Sequence, residues 1–166
     1  MNFFWKPKSK IQSLPELITS ILYNEATFYK QFVQDLLEAK EEVIIESPYI
    51  TKRRVEMLKP IFERLVHKGI QVFIITRNPL EHDRIMAEQS EAGIQYFESL
   101  GPQVLLISGG HHRKLAMIDR KILWEGSLNI LSQSNSREHM RRTNSKKLTI
   151  EAFQFHHLDR LDVFRK

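Results

Sequence analysis

The spacing of apolar residues predicts two helices at the start of the chain. Ser13 and Glu16 form a capping-box pattern, which marks the beginning of a helix, and apolar residues then recur at helical spacing over residues 14–22. A second helical pattern covers residues 27–40. We therefore expect residues 1–26 to form a helical extension ahead of the main domain.

The middle of the chain alternates short apolar runs with helical patterns. The runs at residues 42–47 and 71–76 are typical of buried strands. Helical spacing follows each of them, over residues 51–68 and over residues 81–100. This order of strand, helix, strand and helix is typical of right-handed crossovers onto a parallel sheet.

After residue 102 the pattern changes to short strands with no long helix between them. Strand character is found at residues 103–108, 114–119, 122–125 and 147–151. Residues 153–166 form a C-terminal tail with helical character. No linker or repeat divides the chain, so we expect one α/β domain over residues 1–166.

Composition places the chain among ordinary globular proteins, with 42% hydrophobic and 27% charged residues. It contains no cysteine, which removes disulfides and thiolate metal sites and fits a reducing compartment. No run approaches the ~20 apolar residues of a membrane span, and the first residues lack the apolar core of a secretory signal. We therefore expect a cytoplasmic protein with no stable membrane association.

The net charge of +5 is distributed unevenly. Residues 101–166 contain 12 Lys and Arg against 6 Asp and Glu, whereas residues 1–100 contain 13 against 14. A basic surface on one side of a protein attracts polyanions such as nucleic acid. A solvated surface without any function explains the same excess.

The basic part of the chain also carries the polar side chains best suited to catalysis. Residues two apart on a strand share a face, so His112 and Lys114 should project together as an imidazole beside a fixed ammonium. The turn Gly126-Ser127-x-Asn129 adds neutral hydrogen-bond donors and a glycine that lets the backbone approach a ligand closely. Together these groups are suited to hold the non-bridging oxygens of a phosphodiester.

The spacing of these residues resembles the HKD signature of the phospholipase D superfamily. Six positions carry the resemblance: His112, Lys114, Asp119, Gly126, Ser127 and Asn129. The segment Ser47-Pro48-Tyr49 after an apolar strand is also similar to this family, and the likeness covers residues 27–152. It implies a PLD-like α/β sandwich, with a central mixed, largely parallel β-sheet flanked by helices on both faces.

The resemblance implies a role for each residue of the motif. His112 would attack phosphorus and become a phosphohistidine, which divides one difficult displacement into two. Lys114 and Asn129 would hold the phosphoryl oxygens with help from Ser127. Glu138 matches the downstream acid that orients the imidazole of the nucleophile.

Two other residues of the motif and three arginines beside it complete the assignment. Asp119 belongs to the signature, but at the end of its strand we expect it to brace a turn. Gly126, Arg137, Arg141 and Arg142 are candidates for binding substrate, since basic side chains beside the site would form a track for phosphates. As part of a solvated loop these arginines would need no function, but the basic charge of this part of the chain favours the track. The resemblance implies neither a metal nor another cofactor.

The implied mechanism needs a second histidine, which protonates the leaving oxygen. The chain contains one HKD motif, and His111 should face away from His112 because neighbours on a strand point to opposite sides. The resemblance therefore implies a homodimer in which two motifs meet at one shared site.

The sequence leaves several classes of substrate open. The resemblance to short bacterial nucleases and the basic charge favour an endonuclease acting on DNA or RNA, with DNA preferred. Nucleases of this kind also occur as modules of helicase or restriction systems, which would supply a protein partner. The alternatives are a phospholipid phosphodiesterase and a catalytically silent phosphate-binding module.

Overall fold

Seven strands and four α-helices make up the part of the chain that the computed structural model describes, residues 17–164. The strands are β1 (Thr19–Asn24), β2 (Glu42–Glu46), β3 (Gln71–Arg77), β4 (Gln103–Ile107), β5 (Leu115–Ile118), β6 (Ile122–Gly126) and β7 (His139–Asn144). The helices are α1 (Phe28–Glu38), α2 (Lys52–His67), α3 (Arg84–Leu100) and α4 (Lys146–Phe155). Two 3-10 segments cover Pro79–Glu81 and Leu158–Phe164.

The strands form one mixed sheet in the order β1-β7-β6-β5-β2-β3-β4. The pairs β2–β3 and β3–β4 are parallel, and α2 and α3 make the crossovers between them. The four other pairs are antiparallel. The mixed sheet is confirmed, but its parallel share is smaller than expected because no crossover helix connects the strands from β4 to β7.

Helices cover both faces of the sheet, as expected. On one face α1, α2 and α3 bury Phe32, Phe62 and Phe97 against the strands. On the other face α4 and the final 3-10 segment pack against the strands, with Phe153 meeting side chains such as Ile44. Strands with apolar residues on both faces need such a cover on each side.

The predicted N-terminal helix is wrong for the residues that the structure describes. Thr19–Asn24 is the edge strand β1, which pairs antiparallel with β7. The apolar side chains that suggested a helix, including Ile18, Ile21 and Leu22, are 50–58% exposed. Pairing with β7 therefore overrides the local helical period. Residues 1–16, with the predicted capping box, lie outside the described residues.

The predicted strand at residues 147–151 is also wrong, because these residues belong to α4. Ser145 caps this helix by accepting a hydrogen bond from the N–H of Leu148 at 3.2 Å. The strand that the sequence analysis missed is β7, in which only Met140 and Thr143 are buried. The predicted tail begins within α4 and continues into the final 3-10 segment.

Candidate active site

A cleft of about 820 Å³ lies where the loop before β5 meets the end of β6 and the start of β7. Seven of the ten residues assigned from the sequence line it: His112, Lys114, Gly126, Ser127, Asn129, Glu138 and Arg141. Its lining therefore combines an imidazole, cations, carboxylates and neutral donors. Asp119, Arg137 and Arg142 do not line this cleft.

His112 and Lys114 are in direct contact, as their spacing predicted. The Lys114 ammonium lies 2.7 Å from Nδ1 of the His112 ring and 2.7 Å from the His112 carbonyl oxygen. Because an ammonium can only donate, the ring accepts this hydrogen bond. Partial burial and the positive charges of Lys114 and Arg77 lower the pKa of His112. The ring is therefore held in its neutral form near pH 7.

Glu138 shares the cleft with His112 but does not contact its ring. Within the described chain no hydrogen bond or ion pair joins its carboxylate to the imidazole, so the predicted orienting contact is not formed. Burial lowers the pKa of Lys114, and the negative charge of Glu138 opposes that effect. The backbone N–H of Glu138 donates to the Glu25 carboxylate at 3.2 Å. In this geometry Glu138 acts on the lysine rather than on the histidine.

The turn after β6 places two neutral side chains in the cleft. Ser127 Oγ accepts a hydrogen bond from the N–H of His139 at 3.2 Å. Asn129 Oδ1 is buried and has no partner among residues 17–164. A Cβ on Gly126 would collide with the backbone of His139 and Met140. The glycine is therefore required by the approach of β7, not by a ligand as the sequence suggested.

Asp119 lies at the opposite end of β5 from the cleft. Its carboxylate accepts hydrogen bonds from the backbone N–H groups of residues 40–42, at 2.8 to 3.2 Å. Its own backbone has a φ of 52°, an uncommon value for a residue with a side chain. Asp119 thus braces two turns against each other, as expected, and its inclusion among the catalytic residues is wrong.

Arg141 and Arg142 point to opposite faces of β7. Arg141 faces the cleft, whereas Arg142 donates to both carboxylate oxygens of the buried Asp35, at 2.7 and 2.9 Å. Trp124 Nε1 donates to the same carboxylate at 2.8 Å. The assignment of Arg142 to substrate binding is therefore wrong, because a buried carboxylate holds its guanidinium. Arg137 is exposed on the loop before β7 and outside the cleft.

The loop that carries His112 is held from the other side by a residue that the sequence analysis missed. Gly109 and Gly110 adopt positive φ angles of 95° and 74°. Their N–H groups donate to the Glu81 carboxylate at 2.6 and 3.1 Å, and these hydrogen bonds lower the pKa of Glu81. The glycine pair was a signal for such a turn, but nothing in the sequence indicated which residue would bind it.

Tyr49 stands directly beside His112. Its ring centroid lies 6.1 Å from that of His112 and 4.9 Å from that of His82. Ser47 Oγ holds the segment by donating to the Tyr49 carbonyl and accepting from the N–H of Leu131. The Ser47-Pro48-Tyr49 segment therefore sets an aromatic ring against the imidazole.

A buried charged cluster lies behind the loop. Glu46 is fully buried, with Arg113 Nε at 2.7 Å and His111 Nε2 at 3.4 Å from its carboxylate. Burial lowers the pKa of His111 to about 4 and raises the pKa of Glu46. His111 thus faces away from His112, as predicted. Arg113 also donates to Nδ1 of His156 at 3.0 Å, and both residues line the cleft, which the sequence analysis missed.

The fold and the cleft define a protein of the phospholipase D class. Residues 32–156 match the family model described as "Cardiolipin synthase, PLD-like domain". Because the match covers most of the chain, the protein belongs to this PLD-like family. A search of curated proteins gave no match.

Solved structures share the fold. NucT from Helicobacter pylori aligns with a TM-score of 0.66 and 21% identity, over 85% of this chain and 94% of that chain. Nuc from Salmonella typhimurium, a phospholipase D family member, aligns with a TM-score of 0.69 and 17% identity, over 88% of this chain and 95% of that chain. Phosphatidylserine synthase from Haemophilus influenzae aligns with a TM-score of 0.67 and 16% identity, over 89% of this chain and 39% of that chain. At these identities the likeness establishes the fold alone.

Proposed function

We propose that this protein is a phosphodiesterase that cleaves nucleic acid, DNA in preference to RNA, by forming a phosphohistidine on His112 without a metal ion. One observation carries the proposal. The exposed ring of His112 contacts Lys114 in a cleft that also presents Asn129 and the cationic Arg141. A neutral nucleophile, a fixed ammonium and neutral donors are what attack on an anionic phosphodiester requires.

The first chemical step transfers the phosphoryl group to His112. Lys114 turns from the imidazole to a phosphoryl oxygen, which frees the lone pair of the ring for attack on phosphorus. The N–P bond forms as the P–O bond to the leaving oxygen breaks, and an imidazolium protonates that oxygen. In the second step water attacks phosphorus and the N–P bond to His112 breaks. The water gives a proton to the other imidazole, the one that protonated the leaving oxygen in the first step. Asn129 and Ser127 bind the remaining oxygens.

We propose that the imidazolium belongs to His112 of a second copy, so that the protein acts as a homodimer. Two of the other histidines at or beside the cleft are poorly suited to donate this proton. His111 is buried with a pKa of about 4. His156 accepts a hydrogen bond from Arg113, and burial together with that charge lowers its pKa. Both rings are engaged by charged side chains behind the loop, whereas the ring of His112 is exposed to an approaching second copy.

Charge supports a nucleic-acid substrate. Arg141 lines the cleft and would contact a phosphate that flanks the cleaved bond, while Lys114 holds the reacting phosphoryl group.

A phospholipid substrate is the second candidate, and one feature of the surface favours it. Leu22 lines the cleft, and its apolar side chain is 58% exposed. An exposed apolar side chain beside an active site is suited to contact acyl chains. The phosphoryl chemistry would be the same. No helix within residues 17–164 has the length and apolar character needed to cross a membrane.

One experiment distinguishes the two candidates. The full chain is incubated in excess EDTA with plasmid DNA, with DNA and RNA oligonucleotides and with phospholipid vesicles, and His112→Ala is the control. We expect DNA cleavage in EDTA by the wild type and none by the variant, with phosphate trapped on His112 after acid-free quenching. Activity that disappears with EDTA would contradict the metal-independent mechanism. Lipid turnover without nucleic-acid cleavage would establish the second candidate instead.

A further inference from the structure

A second groove, of about 390 Å³, lies next to the cleft that contains the reacting histidine. Asn129 lines both the cleft and the groove. Tyr49 lines the groove, and its ring lies 6.1 Å from the ring of His112. A substrate with its phosphorus at His112 would therefore place the neighbouring part of its chain in this groove.

The groove offers the groups that contact nucleotides rather than apolar ligands. Tyr49 and Met86 provide an aromatic ring and a thioether, on which a base can stack or pack. Hydroxyl groups come from Ser132 and Ser134. Arg53 also lines the groove, is exposed and has no ion-pair partner within residues 17–164, so it is available to a phosphate.

The volume limits what the groove can accept. About 390 Å³ lies at the lower end of the roughly 300–1,000 Å³ typical of small-molecule sites, which suits one nucleotide. A base that enters such a groove has left the base stack, and a paired base must first lose its partner. A single strand makes this movement at a much lower cost than a duplex.

We propose that this groove is a subsite for the nucleotide next to the cleaved phosphate, with its base against Tyr49 and Met86 and the following phosphate on Arg53. The substrate of the protein is then single-stranded nucleic acid. This inference rests on the proposed function and names its substrate class.

The test compares three substrates and two variants of the full chain. The substrates are a single-stranded oligonucleotide, the duplex of the same sequence and bis(p-nitrophenyl) phosphate, a small diester without neighbouring phosphates. The variants are Arg53→Gln and Lys52→Gln. Lys52 is the adjacent residue of α2 and is exposed, but it does not line the groove and its ammonium pairs with Glu56. The two variants remove the same charge from nearly the same place.

We expect the wild type to cleave the single strand at least ~10-fold faster than the duplex. Arg53→Gln should raise KM for the oligonucleotide about tenfold, as expected for a lost hydrogen bond to a charged group, and leave cleavage of the small diester unchanged. Lys52→Gln should leave both unchanged. An abasic site at one defined position beside the cleaved bond should slow cleavage about fivefold or more, because the base loses its aromatic contact.

Three results would overturn the subsite while nucleic acid is still cleaved. They are equal rates on single strand and duplex, equal effects of the two variants, and an equal effect of Arg53→Gln on the small diester. Absence of nucleic-acid cleavage by a wild type that hydrolyses the small diester would overturn the proposed function itself, and the subsite with it.

Discussion

The sheet consists of two halves that differ in pairing and in the burial of their strands. In the parallel half, β2, β3 and β4, all five residues of β2 and five residues of β3 are buried, helices cover the strands on both faces, and only the edge strand β4 has no buried residue. In the antiparallel half, β5, β6, β7 and β1, the strand β5 beside β2 is fully buried, but only two residues of β7 and none of β1 are buried. The candidate active site lies in the antiparallel half, with the loop of His112 at the boundary between the two.

Because of this difference, the buried strands support the site, and the half-exposed strands provide the side chains that face a substrate. A strand that is buried on both faces contributes packing energy but has no side chain left to present to a substrate. A half-exposed strand such as β7 can bury Met140 on one face and present Arg141 on the other. The parallel half reaches the site only through its ends, where Tyr49 follows β2 and Glu81 follows β3.

The largest expected effect comes from one substitution in each half. We expect His112→Ala to reduce phosphodiesterase activity about 10⁶-fold, the loss typical of a removed nucleophile, and to change the free energy of unfolding by less than about 0.5 kcal/mol because the ring is exposed. Phe73→Ala, in fully buried β3, should instead cost about 3–5 kcal/mol of stability. Denaturant titration and activity assays on both variants measure the contrast.

Mixed dimers extend this comparison to the subunit arrangement. After random exchange of equal amounts of wild type and His112→Ala, about a quarter of the dimers contain two wild-type chains. A shared site that needs both imidazoles should therefore leave about a quarter of the activity that the same total amount of wild-type protein has. Independent sites would leave about half. The latter result, or a monomer in solution that is fully active, would contradict the shared site.

The sequence predicted the parallel half better than the antiparallel half, for a physical reason. The strands β2 and β3 are apolar runs that must be buried wherever they lie, so composition alone identifies them. The strand β7 is polar, and β1 has the apolar spacing of a helix; both are strands because they pair with each other. Such pairing is a tertiary contact, which a local pattern does not contain.

The same reason explains which residues of the cleft the sequence indicated. His112, Lys114 and Asn129 were placed together from their spacing, since one short loop and one turn carry them. The pairing of Arg142 with Asp35 and of Glu81 with the loop before His112 joins residues distant in the chain. No spacing rule indicates such partners, and both were missed.

Two adjacent arginines of β7 provide the next comparison. We expect Arg142→Gln to lower the free energy of unfolding by about 3 kcal/mol, because it leaves the carboxylate of Asp35 buried without its cation. Arg141→Gln should change stability by less than about 0.5 kcal/mol and raise KM for oligonucleotides several-fold. Denaturant titration and steady-state kinetics test both. Equal effects of the two substitutions on KM would indicate that Arg142 also contacts the substrate.

Glu81 is one of two carboxylates, with Glu46, through which the parallel half holds the loop of His112. We expect Glu81→Gln to reduce kcat about tenfold with little change in KM, since a loosened loop misplaces the nucleophile without removing a substrate contact. Glu88→Gln is the matched control, because Glu88 is exposed and pairs with Arg84 at 3.1 Å. Hydrogen exchange at Gly109 and Gly110 should accelerate only in the first variant. Unchanged exchange at these two glycines would show that the hydrogen bonds to Glu81 do not hold the loop.

The smallest expected effect is a displacement of the pH profile. The pKa of His112 is lowered from the ordinary 6.5 by partial burial and by Lys114 and Arg77, so its ring stays neutral as the pH falls through 6.5 and gains a proton only below it. If His112 is the nucleophile, the acid limb of kcat/KM on a small diester should have its midpoint below 6.5. An NMR titration of the ring, assigned by comparison with His112→Ala, should give the same midpoint. Circular dichroism over the same pH range shows whether the protein stays folded. If it stays folded, a midpoint of the acid limb above 6.5 would mean that a group other than His112 causes it, and that the contact with Lys114 does not persist in solution.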